Sequence, residues 1–135
     1  MESMTVIDNQ TDEFKQFSKN VVSALLHQTK HINLCMLCTT DGFEITTASK
    51  KNWSNTGKIA AVSSSIMALI SAFISEIHLV NCQTITLDTE TGKAFLSIVP
   101  HDKFPSVLVV ITDKNVLLGE ILHELKKVIA HLHQY

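Results

Sequence analysis

No arginine occurs in this sequence; all eleven basic residues are lysine. Arginine is the side chain that grips a phosphate at two points and the one that serves as a catalytic finger in phosphoryl transfer. Charge of either sign is also sparse, at 18% of the chain against about a quarter in an ordinary domain. Lysines stand side by side only at Lys50-Lys51 and Lys126-Lys127, and the net charge is −2. Such a surface offers no track for a phosphate backbone, so nucleic acid is not expected as a partner. A surface this neutral is either hidden by the fold or meets another protein.

Cysteine is scarce too. Cys35, Cys38 and Cys82 are odd in number and lie in apolar stretches, which fits reduced thiols in a cytoplasmic protein. Cys35 and Cys38 have the spacing of a metal pair, but on a strand residues three apart point to opposite faces, so one ion could not take both. The segment Met1–Gln10 is polar and lacks the apolar core of a signal peptide. The longest apolar stretch, Ile59 to Ile77, is broken by serines throughout and is not expected to insert into a membrane.

What is present is a pattern of helices and strands. Residues 1–10 have no periodicity and are expected to form a flexible tail, with a single domain over 11–135. Thr11 would cap a helix over 12–29 that carries Phe14, Phe17, Val21, Leu25 and Gln28 at helical spacing. Ile32–Cys38 is apolar on both parities, as a strand covered on both faces would be. Asp41-Gly42 is a hairpin signal before a strand over 43–48. A polar loop holding Trp53 leads to a long helix over roughly 57–78. Three further strands are expected at 82–88, 94–99 and 107–111. Asp113 would cap a last helix with Leu118, Ile121, Leu122, Leu125, Val128 and Leu132 as its buried stripe. The order α-β-β-α-β-β-β-α predicts an α/β (α+β) fold, an antiparallel sheet with helices on both faces.

Catalytic signatures are missing. Thr56-Gly57-Lys58 and Thr91-Gly92-Lys93 lack the earlier glycine and the following hydroxyl of a phosphate-binding loop. The seven histidines have no third ligand at metal spacing, and His101-Asp102 forms no triad by any local signature. The sequence therefore predicts no enzyme, no metal and no cofactor.

The long central helix is the informative element. Advancing about 100° per residue places Ile59, Val62, Ile66, Leu69, Ile70, Phe73 and Ile77 on one side, expected against the sheet. The opposite side carries Gly57, Ala61, Ser64, Ala68, Ser71 and Ser75, all small and uncharged. Ala60, Ser63, Met67 and Ile74 fill a flank between the two. A surface helix normally turns lysine and glutamate outward. This one presents a surface that another backbone can approach closely, and a symmetric homodimer is the simplest occupant. Trp53 is either a staple on the start of this helix or an anchor at the same interface.

Four stretches in order resemble the roadblock/dynein light-chain family, most closely its bacterial members. They are Asp41-Gly42-Phe43-Glu44-Ile45, Lys58 to Ser65, Gly92-Lys93-Ala94-Phe95-Leu96 and Thr112 to Gly119. The resemblance spans about Phe14 to Leu132. It implies the profilin-like roadblock architecture, a five-stranded antiparallel sheet with the central helix on one face and the terminal helices on the other. It also implies a homodimer joined through the edge strand around Cys82, Thr84 and Thr86 and through the central helices. That dimer would be a platform for a small Ras-like GTPase. Lacking arginine, such a scaffold could change hydrolysis only by ordering the GTPase's own switch loops. Two other functions compete with this one, a structural adaptor in a motility or secretion assembly and a sensor that encloses a small ligand. The sensor would need an apolar pocket with converging polar groups, and the expected core is mostly aliphatic.

Overall fold

The computed structural model describes residues 2–135, with side chains from Gln10 onward. Eight elements follow in the predicted order: α1 (Glu2–Gln28), β1 (Ile32–Thr39), β2 (Glu44–Ser49), α2 (Thr56–Glu76), β3 (Thr84–Asp88), β4 (Gly92–Val99), β5 (Ser106–Asp113) and α3 (Leu118–His133). The strands form one antiparallel sheet in the order β2-β1-β5-β4-β3.

Two cores lie on the two faces of this sheet. On one, α1 and α3 bring Phe14, Val22, Leu25, Ile121, Leu125 and Leu132 against Cys35, Leu37, Phe95, Leu108 and Val110. On the other, Ala60 and Met67 of α2 pack against Leu34, Met36, Cys38, Leu96, Val107 and Val109. Alternation along β1 thus sends Cys35 and Cys38 to opposite cores, as their spacing required. Burial pushes the Cys35 thiol up to about 12 and the Cys38 thiol up to about 11, so both remain protonated core groups.

Element ends depart from the sequence reading at both terminal helices. The backbone of residues 2–10, expected as a tail, is helical and continuous with α1, so Thr11 lies inside the helix and not at its start. Asp113 does not cap the last helix either. It ends β5, takes the Asn115 backbone N–H on Oδ1 at 2.8 Å, and α3 begins only at Leu118. Its second oxygen accepts a hydrogen bond from His31 Nδ1 at 2.9 Å, across the sheet end from α1. The two Thr-Gly-Lys triplets have structural explanations. Thr56 Oγ1 donates to Glu44 Oε1 at 2.9 Å as α2 begins, and Gly92 lies so close to β5 that a Cβ would stand 2.4 Å from the Thr112 carbonyl oxygen.

Candidate protein interface

α2 rests on β1, β2 and β5 through a narrower and differently aimed face than the sequence suggested. Ala60 is fully buried, and Ser63 and Met67 nearly so. Half-buried Ile59, Ile66, Ile70 and Ile74 flank them. The centre of the contact is therefore the stretch expected to be a flank, and Ala60 and Met67, expected at an interface, are buried against the sheet of their own domain. Val62, Leu69 and Phe73, expected against the sheet, are 50%, 71% and 59% exposed, with Ile77 also exposed at the helix end. The helix is turned about its axis from its expected setting, toward the side that carries Ala60, Ser63 and Met67. The cause is legible in the side chains. Small Ala60 and Ser63 let the helix axis approach the sheet, and Met67 fills the gap beside them, whereas branched residues at the centre would hold the helix away.

The small-residue side is divided between two neighbours. Gly42, in the β1–β2 turn, lies against Ala61 and Ser64. That half of the stripe is used within the domain itself. Gly57, Ala68, Ser71 and Ser75 remain exposed, and Ile74 is half-buried. Trp53 is half-buried and packs against the α2-side core, which supports the staple, and its indole Nε1–H is buried without a hydrogen-bond partner.

The β3 edge of the sheet is equally open. β3 pairs only with β4, through a ladder running without a bulge from Thr84↔Ser97 to Asp88↔Lys93. Its outer rim carries no proline or lysine, the devices that usually guard an edge. The opposite edge, β2, meets β1 through an irregular register between Leu37 and Cys38. Along β3, Thr84 is half-buried with its hydroxyl 2.9 Å from that of Ser97, and Thr86 is exposed. Both share the α1/α3 face with their partners Ser97 and Phe95. Ile85 and exposed Leu87 point instead to the face that α2 occupies, like their partners Leu96 and Ala94. Cys82, half-buried, stands just before the strand.

On the α2 side of the sheet, Val62, Leu69 and Phe73 are thus exposed on the helix and Leu87 on β3, while Ile85 packs against the core. Val62, Leu69 and Phe73 lie outside the interface expected from the sequence, whereas Ile85 and Leu87 belong to the edge strand expected to join it. The available signal was the width of the apolar arc on α2: it covers more than half the helix, too much for one contact with a sheet. By length and composition α2 would also qualify as a membrane-crossing helix. Its inward side, however, packs into one of the two cores. Among the described residues no group of three His, Cys, Asp or Glu could hold a metal ion.

A five-stranded antiparallel sheet with one helix on one face and the two terminal helices on the other is the roadblock/LC7 architecture, and the chain has that fold. Among solved structures it is similar to MglB from Myxococcus xanthus, with 19% identity, 89% of this chain and 87% of that one covered, and a TM-score of 0.80. It is similar to a roadblock/LC7 domain from Streptomyces avermitilis, with 14% identity, coverage of 87% and 95%, and a TM-score of 0.78. It is also similar to an MglB in a tetrameric arrangement, with 15% identity, coverage of 90% and 88%, and a TM-score of 0.79. The sequence matches no protein-family model and no curated protein, so the likeness resides in the three-dimensional arrangement.

Proposed function

We propose that the chain is a non-catalytic, roadblock-type regulator in the cytoplasm that dimerises through β3 and α2 and offers the joined α2 helices to a small Ras-like GTPase. The observations that carry the dimer are an unguarded strand edge at β3 and exposed Val62, Leu69 and Phe73 on α2. Hiding each of these side chains from water is worth about 1.5–3 kcal/mol. A second copy supplies the same strand and the same helix under a two-fold axis, so strand meets strand and helix meets helix. The tetrameric arrangement of an MglB of this fold supports self-association as well. The GTPase rests on the resemblance of four sequence stretches to bacterial roadblock proteins and on the shared fold. With no arginine in the chain, any effect on hydrolysis works by ordering the GTPase's own switch loops.

Sedimentation of the intact chain is expected to give twice the 15.0 kDa chain mass at micromolar concentration. Calorimetric titration with a Ras-like GTPase from the same organism is expected to show one GTPase per dimer and tighter binding of the GTP-analogue form than of the GDP form. Equal affinity for both forms would leave the protein unable to bias the switch. A dimer that binds neither form would retain the scaffold and remove the GTPase from the proposal. A monomer would remove both.

A further inference from the structure

The β4–β5 connection, His101 to Pro105, is closed by a histidine acting as a hydrogen-bond acceptor. His101 Nδ1 receives the backbone N–H of Lys103 at 3.1 Å and that of Phe104 at 3.0 Å. An imidazole nitrogen accepts only while it carries no proton. The ring must therefore be neutral, with its hydrogen on Nε2.

The turn so formed lies at a junction of three elements. The Phe104 ring stacks on Phe14 of α1, with centroids 4.4 Å apart and planes 5° from parallel. The His101 ring lies 5.6 Å from Phe14, 6.3 Å from Tyr135 and 6.4 Å from His133 at the end of α3. His133 Nδ1 donates to the Pro100 carbonyl oxygen, so α3 is tied to the residue just before the turn. The two histidines differ in kind. His133 uses Nδ1 as a donor, which survives protonation, and His101 uses Nδ1 as an acceptor, which does not.

We propose that His101 is a proton-operated latch: neutral, it holds the β4–β5 turn against α1 and α3; protonated, it releases the Lys103 and Phe104 amides and loosens that junction. Among the described residues, the charged and titratable groups about it include Asp102 and Lys103 on the turn, His133 and Tyr135 on the α3 side, and Glu13 on α1, which Tyr135 contacts. No carboxylate pairs with His101 among the described ion pairs, in contrast to His31, which has Asp113. A second charge on His133 would add repulsion between two imidazolium rings.

The test is a proton NMR titration of the intact protein, following the His101 ring together with amide exchange at Lys103 and Phe104 against intrinsic rates. Protection of both amides is expected to fall by about tenfold or more as the ring takes up its proton, the effect of losing a hydrogen bond of ordinary strength. His101→Asn is the control, because its Oδ1 can accept from the same two amides and does not titrate. Protection is expected to stay level with pH in this variant. Protection that is unaffected while the wild-type ring titrates, or that falls equally in His101→Asn, would overturn the latch. A neutral ring with its hydrogen on Nδ1 would do so directly.

Discussion

Gly42 is pressed against Ser64: a Cβ on this glycine would stand 3.0 Å from the Ser64 Oγ and 3.4 Å from the Ala61 Cα. Its φ of +101° is a conformation that only glycine adopts at little cost. The β1–β2 turn is thereby fixed on the first turns of α2, and Thr39 N–H to Phe43 O at 2.8 Å and Gly42 N–H to Thr39 O at 3.1 Å close it. The sequence signal Asp41-Gly42 located this turn. It could not show that the turn touches the central helix, a contact separated by some twenty residues.

Gly42→Ala is expected to destabilise the protein by about 2 kcal/mol, combining backbone strain with a tight approach to the Ser64 Oγ. Urea denaturation measures it. Replacing Ser64 with Ala as well should recover only the smaller part, because the strain in φ remains. An alanine variant as stable as the wild type would mean that the turn does not hold this conformation against α2.

Two neighbouring positions on α2 separate fold from interface. Met67 is buried against β1 and β5, and Leu69, two residues on, is the most exposed of the helix's large apolar side chains. Met67→Asp places an unpaired charge in the core, with an expected cost of about 3–5 kcal/mol and loss of cooperative folding. Leu69→Asp is expected to keep the thermal transition of a folded domain and to sediment as a monomer. Circular dichroism with sedimentation decides the matter. A folded Leu69→Asp dimer would move the proposed interface off this face.

These two residues also show where sequence reading succeeds and stops. Period-2 and period-3.6 patterns locate the eight elements, and the both-sided apolarity of β1 and β5 correctly requires helices on both faces of the sheet. Strand β3 at the edge agrees with the arrangement that the family resemblance implied. The rotation of α2 was not legible, because an apolar arc that serves both a core and an exposed face has no unique centre. Only the fit of Ala60, Ser63 and Met67 against Leu34, Met36 and Val109 selects one setting, and that is a matter of shape across the sheet. The start of α1 was missed for another reason: residues 2–10 have no periodicity, yet their backbone continues the helix. The latch at His101 was invisible for a third, since the local sequence His101-Asp102-Lys103 says nothing of which ring nitrogen accepts.

His31 and Asp113 provide the remaining prediction, in which the sign with pH is fixed by the contacts. His31 follows α1 with φ of 77°, and Asp113 closes β5. The pair is joined twice, by the Asp113 N–H to the His31 carbonyl at 2.9 Å and by His31 Nδ1 to Asp113 Oδ2 at 2.9 Å. The hydrogen bond from His31, aided by the Asn115 backbone N–H, holds the Asp113 carboxyl below its ordinary value of 3.8. A carboxyl depressed in the folded state contributes stability that is fully present above the unfolded value and is lost as pH falls through the folded one. The stability gap between wild type and Asp113→Asn, followed as urea midpoints, is therefore expected to be level above the ordinary carboxylate range. It should close as the pH drops below 3.8. The group is exposed, so the gap should be small and should shrink further in high salt. A gap that widens toward acid would mean that the folded state favours the protonated carboxyl, and the His31 contact would then not hold the charge it has been assigned.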